Sequence, residues 1–308
     1  MSDMGKLSLL SRRTLCVTGA QALVATGLIG PAVARGRNGA PAASAVVSAL
    51  SDLCSAELVA GRADAAVTGV ALIADPTLAA LRQAVAAGCS LVLSPETPYY
   101  GRPADAAAAA GPFAALAESA AKALRESPAL EAKRAFVDQH DLTIFRLTPS
   151  NASGKDASVE AVAARLGWTR YRVPGEHPVY RPPAMTLAAL VQLAHARLGA
   201  SGGLRFIGDP AMRLTSVLLV PGTSEVVSTI HGLAHADALL TGDMREWEVV
   251  EYVHDSAEAG YPKALVSTGR ILSEQPFVER CALALSQAFS NLPRHSFLAA
   301  DPFWRVQA

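Results

Sequence analysis

The chain has 308 residues, of which 27 are basic and 27 acidic, so its formal charge is zero. This balance excludes the strongly cationic surface that is typical of nucleic-acid-binding proteins. A composition with 51% hydrophobic and only 18% charged residues excludes intrinsic disorder. Four cysteines in this length exclude a disulfide-rich scaffold, and the length suffices for one large folded domain or two small ones.

A candidate export signal occupies the beginning of the chain. Arg12 and Arg13 precede an uncharged and only mildly apolar stretch over residues 15–34, which ends in Ala-Val-Ala, the small-x-small pattern of a signal-peptide cleavage site. A second candidate cleavage site lies in residues 40–45. An uncleaved membrane anchor is the alternative, but the Gly, Gln and Thr content argues against stable insertion. We therefore expect residues 1–45 to be a twin-arginine signal peptide with a short linker, and the mature protein to be exported to the periplasm or the extracellular space.

Three cysteines remain after the predicted leader, namely Cys54, Cys89 and Cys281. Because the number is odd, at most one disulfide can form in an oxidising compartment and one thiol stays free. All three cysteines have apolar neighbours in the sequence, and this pattern favours buried, unreactive thiols.

Strands and helices alternate along the rest of the chain. In chain order, the apolar patterns predict strands over residues 66–74, 90–93, 142–147, 168–173, 214–220, 236–240, 263–267 and 296–299. The intervening segments predict helices over 76–87, 104–124, 159–166, 185–198, 224–235, 244–259 and 273–289, with one more helix that ends near residue 139. For the helix over 76–87, Asp75 is the expected N-cap. The alternation indicates an α/β protein, and the similar plan of the two halves predicts two related lobes within a domain over residues 46–308.

Two segments near the carboxyl end carry a resemblance. Residues 239–260 contain a strand, a Thr-Gly-Asp turn and an amphipathic helix, and residues 263–274 read Lys-Ala-Leu-Val-Ser-Thr-Gly-Arg-Ile-Leu-Ser-Glu. With the strand and helix start over 67–78, they resemble the Nif-three-like dinuclear metal-centre family, also called the type-two-like GTP cyclohydrolase family. The resemblance spans about residues 45–305. It implies two related α/β lobes with mixed sheets flanked by helices, two divalent metal ions, a hydrolase activity and assembly into rings.

The residues at the positions that hold metal in the family have changed in the first loop and in the last. In the first loop, Pro95 stands where the family has its first His, and Glu96 remains as a carboxylate. In the last, Arg270 replaces His, whereas Glu274 is kept. Asp243 stands nearby, where the family usually has Glu.

The middle loop has lost its ligands as well. Thr148, Pro149 and Ser150 occupy the place of the family's His-Asp-His stretch. Proline has no side-chain donor, and arginine is a fixed cation that repels a metal ion. We therefore expect a degenerate metal site and no metal cofactor, with a single divalent ion held by Glu96 and Glu274 as the alternative.

Arg270 offers a physical replacement for the missing ions. Without metals, Glu96 and Glu274 would face each other as like charges, which is costly. A guanidinium at position 270 can pair with both carboxylates. The sequence thus favours an exported family member that has lost dinuclear metal binding and keeps a binding or scaffolding role. The alternative is a metal-dependent hydrolase of the GTP cyclohydrolase type-two-like kind with an altered site.

Other catalytic patterns are missing from the sequence. It contains neither a Gly-x-Ser-x-Gly nucleophile elbow nor a phosphate-binding Gly-rich loop with Lys and Ser or Thr. The catalytic residues and the small-molecule ligand therefore stay unknown. The expected partners are further copies of the chain in a ring. Nucleic acid is not expected, and contact with a membrane is expected only through the export signal.

Two histidines have a spacing that is compatible with metal binding. His231 and His235 lie four residues apart on one face of a predicted helix. A third ligand is not evident from the sequence, so an ordinary pair of surface histidines is favoured. Four other histidines are predicted to be isolated, and to be structural or solvated, namely His140, His177, His195 and His295.

Overall fold

The structure is a computed structural model that describes residues 39–100, 122–150, 156–199 and 204–298. Most of the predicted export signal and of the predicted helix over 104–124 lie outside these residues. Within the described ranges, no helix is long and apolar enough to cross a membrane.

The first of two large sheets contains five strands in the order β1-β4-β3-β2-β12. These are β1 (Ser55–Ala60), β2 (Val70–Ile73), β3 (Leu91–Ser94), β4 (Thr143–Thr148) and β12 (Arg294–Phe297). All pairs are parallel except β1 with β4, which is antiparallel. Strands β2 and β3 are buried along their whole length, as expected for parallel strands that helices cover on both faces.

The second large sheet also contains five strands, in the order β5-β9-β10-β11-β7. Its strands are β5 (Val179–Tyr180), β7 (Arg205–Ile207), β9 (Val217–Thr223), β10 (Ala238–Asp243) and β11 (Ala264–Ser267). The three central strands are parallel, and the two edge strands are antiparallel to them. A small hairpin-like pair, β6 (Met185–Thr186) with β8 (Arg213–Leu214), lies beside this sheet. The predicted α/β class with two related lobes is confirmed.

Eight α-helices are described in these ranges. They are α1 (Ala43–Ser48), α2 (Leu78–Ala86), α3 (Pro128–Gln139), α4 (Ala157–Leu166), α5 (Leu187–Leu198), α6 (Val226–Leu233), α7 (Glu251–Glu258) and α8 (Arg270–Ala288). A π-helical turn, Glu246–Val250, leads into α7. The predicted end of this helix at residue 166 is confirmed, because Gly167 has φ +76° and closes α4 in the left-handed conformation.

Helix α8 lies between the two sheets. Phe277 is fully buried, and with Val278, Cys281 and Leu285 of the same helix it packs against the apolar side chains of β2 and β3. The amino-terminal turns of the same helix lie against the ends of β9 and β10. Burial of these side chains stabilises the fold by roughly 1.5–3 kcal/mol each. Helix α8 therefore links the two lobes, with its core side chains on the first sheet and its first turns on the second.

Some elements differ from the sequence predictions. The predicted strand over 168–173 is instead a short 3₁₀ turn, Thr169–Tyr171, because Trp168 turns inward after Gly167 and is 97% buried among the side chains of α4 and α5. The N-cap of α2 is Thr77 rather than Asp75, since the Thr77 hydroxyl accepts a hydrogen bond from the Ala80 amide. Asp75 is thereby left for another partner.

Candidate functional site

A cleft lies between the two lobes, where the ends of parallel strands meet the beginning of α8. Pro95 and Glu96 follow β3, Pro149 follows β4, and Gly222 lies near the end of β9. In α/β proteins, ligand sites typically lie at the carboxyl ends of parallel strands, because the loops that follow these strands come together at one edge of the sheet. The cleft has a volume of about 460 Å³, which suits a small molecule. Its lining consists of Glu57, Pro95, Glu96, Arg146, Leu147, Thr148, Pro149, Asp156, Ser158, Pro221, Gly222, Thr223, Glu274 and Phe277.

Arg270 stands beside this cleft among three carboxylates. Its Nη1 lies 2.9 Å from Glu274 Oε2 and 3.9 Å from Glu96 Oε1. Its Nη2 lies 3.3 Å from Asp75 Oδ1. The pairing of Arg270 with both glutamates, which the substitution pattern predicts, is therefore present, and Asp75 is a third partner that the sequence did not reveal.

The surrounding carboxylates stabilise the charged form of Arg270. Burial by itself would lower the pKa of Arg270, but the carboxylates of Glu274, Asp75 and Glu96 outweigh it and raise the pKa above its ordinary value. The guanidinium is therefore a permanent cation at this place. Because Asp75 and Glu96 belong to loops of the first sheet and Glu274 to α8, Arg270 links these elements by charge.

Two glycines allow α8 to begin so close to the second sheet. A Cβ on Gly242 would lie 2.3 Å from the Gly222 carbonyl oxygen and 2.3 Å from Ser273 Oγ. Gly222 has φ +73°, and a Cβ there would lie 3.1 Å from Glu274 Oε1. The Ser273 hydroxyl accepts from the Gly222 amide at 2.9 Å and donates to the Arg270 carbonyl at 2.7 Å. The Thr-Gly-Asp stretch, which forms the end of β10, therefore positions the residues on α8.

A buried lysine supports the loop that carries Glu96. Lys133 on α3 is only 6% exposed, and its Nζ donates to the Pro98 carbonyl at 2.7 Å. Its Nζ also lies 4.9 Å from the centre of the Tyr100 ring, within cation–π range. Burial lowers the pKa of Lys133 below its ordinary value, although the nearby Asp75 acts in the opposite direction. Neither the sequence pattern nor the resemblance pointed to this residue.

The predicted site residues do not all lie together. Pro95, Glu96, Thr148, Pro149 and Glu274 line the cleft, and Arg270 pairs with two of them. Ser150 is exposed and forms a backbone bridge to Asp156. Asp243 is exposed as well, and its carboxylate accepts a hydrogen bond from the Met244 amide.

Three histidines lie close together beside the second sheet, away from the cleft. His177, predicted to be isolated, lies against His231, with 3.1 Å between His177 Nε2 and His231 Nδ1. One ligand nitrogen from each of His177, His231 and His235 lies within 4.8 Å of those of the other two. The predicted isolation of His177 and the interpretation of His231 and His235 as a mere pair were wrong, because the third ring arrives from a loop 54 residues away in the sequence.

The fold and the cleft define a two-lobed α/β protein with a carboxylate-rich cleft between its sheets. The family described as Duf34/NIF3 (NGG1p interacting factor 3) matches residues 149–300. This match, over just under half of the chain, supports a NIF3-like family member, and the solved structures that follow share its fold.

Several solved structures share this fold. The Staphylococcus aureus hypothetical protein SA1388 has a TM-score of 0.60 and 14% identity, over 86% of this chain and 99% of that chain. A Bacillus cereus protein related to NIF3 has a TM-score of 0.60 and 14% identity, over 87% of this chain and 99% of that chain. The protein TTHA1606 from Thermus thermophilus has a TM-score of 0.54 and 17% identity, over 82% of this chain and 91% of that chain. At these identities the likeness concerns the fold. A comparison with curated proteins found no match.

Proposed function

We propose that this chain is an exported NIF3-like protein whose cleft binds a small polar molecule without a dinuclear metal centre. The observation that carries the proposal is the position of Arg270, whose guanidinium lies 2.9 Å from Glu274 and 3.9 Å from Glu96. These are the two carboxylates that match the family's metal ligands. A permanent cation beside them neutralises their charge and repels a divalent ion.

The donor set of the cleft supports the same conclusion. Among its described lining residues the side chains that could hold a metal are carboxylates and hydroxyls, with no imidazole. Pro95 and Pro149 offer no side-chain donor at all. The resemblance implies a site that holds its two divalent ions with histidines as well as carboxylates. The residues present therefore do not fit a dinuclear centre, and no reaction step is assigned to one.

The cleft instead offers hydrogen-bonding groups of both kinds. Arg146 is the lining cation, its Nη2 lies 3.6 Å from Glu57 Oε2, and its side chain is 24% exposed. Glu57, Asp156 and the hydroxyl of Thr148 supply acceptors along the same wall. A neutral ligand with several N–H or O–H donors, such as a nucleoside, matches these groups better than a polyanion.

Metal analysis of the purified chain tests the proposal. The chain is prepared without chelator in a His231→Asn, His235→Asn background, so that any metal counted belongs to the cleft. We expect no bound Mn²⁺ by elemental analysis and electron paramagnetic resonance. Arg270→Gln should gain Mn²⁺ binding, because three carboxylates then lose their cation, whereas the control Arg165→Gln should not. Two equivalents of metal per chain, lost in Glu96→Gln, would overturn the proposal.

Ligand binding is measured with guanosine as the probe, in the presence of chelator. Saturable binding that weakens in Glu96→Gln supports the binding role, and its absence leaves the scaffolding role. One equivalent of metal held through Glu96 and Glu274, together with metal-dependent turnover of GTP, would instead favour the altered hydrolase. Glu96→Asp is the conservative control for the geometry of the carboxylate.

We propose export through the twin-arginine pathway on the sequence of the leader alone. Replacing Arg12 and Arg13 by lysine should keep the full chain in the cytoplasm. Cell fractionation and the size of the precursor measure this. Lys6→Arg is the matched control, since it leaves the arginine pair intact. Normal export of the doubly substituted chain would refute the proposal.

We also propose that the chain self-associates, as the resemblance to ring-forming proteins implies. Trp247 and Val227 are 68% and 71% exposed, and large apolar side chains exposed to this degree are common at protein interfaces. Light scattering coupled to size-exclusion chromatography should show an oligomer that Trp247→Ser weakens. A monomer at micromolar concentration would refute self-association.

A further inference from the structure

We propose that His177, His231 and His235 form a binding site for one divalent transition-metal ion, separate from the cleft. The three rings form a compact group, with centroid distances of 4.6 Å for His177 and His231, 5.8 Å for His177 and His235, and 5.9 Å for His231 and His235. Their ligand nitrogens all lie within 4.8 Å of one another.

The distances are close to those of a metal site. In a tetrahedral zinc site with Zn–N bonds of about 2.0–2.1 Å, two ligand nitrogens are about 3.3 Å apart. His177 Nε2 and His231 Nδ1 are already 3.1 Å apart. Binding therefore needs a rotation of the exposed His235 ring toward the other two. It also needs a change of tautomer that moves the proton between His177 Nε2 and His231 Nδ1 to the other nitrogen of its ring.

The backbone holds two of the three ligands in place. His231 lies in the last turn of α6. The carbonyl of His177 accepts hydrogen bonds from the Val179 amide and from the Arg172 guanidinium. The next residue, Pro178, accepts from the Leu219 amide of β9 at 3.0 Å. The loop of His177 is thereby fixed to the second sheet, which reduces the ordering that metal binding must supply.

Gly232 allows the end of α6 to lie close to the loop that carries His177. A Cβ at this position would lie 2.8 Å from Leu218 Cδ2 and 3.4 Å from His177 Nδ1. Only a residue without a side chain lets the end of α6 lie this near to the His177 ring and to β9. The cluster is therefore built by close packing between two elements and not by chance proximity of long side chains.

The chemistry selects the class of ion. Three neutral imidazoles suit Zn²⁺, Co²⁺, Ni²⁺ and Cu²⁺, whereas Mg²⁺, Ca²⁺ and Mn²⁺ prefer oxygen ligands. His231 and His235 are exposed, so water can take the fourth position, as in sites with three protein ligands. The cluster lies near the first residues of β9, and the cleft lies at the last, about 13 Å along the strand from Leu218 to Gly222. This site therefore does not depend on the proposed function of the cleft.

Cobalt titration of the full chain tests the site. Co²⁺ should bind with one equivalent per chain and give the visible absorption of a tetrahedral nitrogen-ligated ion. His177→Asn, His231→Asn and His235→Asn should each weaken binding at least about tenfold, by analogy with the losses on disturbing metal-site ligands. The exposed His195 and His254, replaced by Asn, are matched controls and should leave binding unchanged.

Three results would overturn the site. They are the absence of Co²⁺ and Zn²⁺ binding, binding that all three cluster variants retain, and binding that Glu96→Gln abolishes while the cluster variants do not. Circular dichroism of each variant checks folding, and because His231 and His235 are exposed, at least these two variants are expected to fold. Since Mn²⁺ binding in Arg270→Gln reports on the cleft and Co²⁺ binding reports on the histidines, the two proposals fail independently.

Discussion

Arg270→Ala is expected to destabilise the fold, because it removes the cation that faces three carboxylates. The side chains of Arg270, Glu96 and Glu274 are 22%, 14% and 11% exposed. Removing one partner of a fully buried pair costs about 3–5 kcal/mol, because the remaining charge is left in a poorly solvated place. Partial exposure of Arg270 reduces this figure, and we expect a loss of about 2–3 kcal/mol in the free energy of unfolding.

Arg165 of α4 provides the matched control, because it pairs with Glu279 of α8 on a more exposed surface. The two side chains are 37% and 42% exposed. Exposed ion pairs contribute roughly 0–1 kcal/mol, so Arg165→Ala should cost at most about 1 kcal/mol. Both variants and the unsubstituted chain are compared by urea denaturation in the presence of chelator, with equal m-values as the condition for comparison.

Added Mn²⁺ gives the measurement a second arm. If the loss in Arg270→Ala comes from carboxylates without a cation, Mn²⁺ should restore stability in that variant, by about 2.7 kcal/mol at one hundred times its dissociation constant. It should have no effect on the Arg165→Ala protein. Equal small losses in both variants, or a loss in Arg270→Ala that Mn²⁺ does not reduce, would refute the electrostatic role of Arg270.

Three further predictions concern other parts of the fold. Gly242→Ala should lower stability by at least about 3 kcal/mol in urea, because the new Cβ meets the Gly222 carbonyl at 2.3 Å; an unchanged midpoint would contradict this. Burial alone would raise the pKa of Asp237, but hydrogen bonds from Thr215 and Ser216 lower it, so its contribution is present above the ordinary carboxyl pKa and lost as the pH falls through the lowered value. Asp237→Ala should therefore cost about 1–2 kcal/mol at pH 7 and less at pH 3, and a cost independent of pH would count against it. A hydrogen bond to Cys54 and burial raise the pKa of Cys281, so a thiol reagent should label it only after unfolding, and rapid labelling of the native protein would disprove this.

The sequence predicted those elements whose identity depends on local pattern. The buried strands β2 and β3 are continuous apolar runs. Gly167 directly follows an apolar helical pattern, and a glycine at such a place typically ends the helix. Strand β1 was missed because it is an edge strand with mostly exposed side chains and has no apolar run. The turn after Trp168 was mistaken for a strand because its aromatic residues resemble a strand pattern, and only tertiary packing of Trp168 decides the conformation.

Prediction of the sites failed where partners come from distant segments. The pairing of Arg270 with Glu96 and Glu274 could be inferred because the resemblance aligns all three at one place. Asp75 was assigned to a helix cap, since no local signal shows that its carboxylate faces α8. His177 was treated as isolated for the same reason, because the contact with His231 depends on how the second sheet arranges a loop.

Helix α8 takes part both in the wall of the cleft and in the contacts between the lobes. The helix contributes Glu274 to the cleft wall and Phe277 to both the wall and the core, while its first residues rest on the ends of β9 and β10. A molecule that draws Arg270 away from Asp75 and Glu96 removes charge contacts between the helix and the loops of the first sheet. Ligand binding that competes for Arg270 would therefore also weaken the attachment of α8 to the loops of the first sheet.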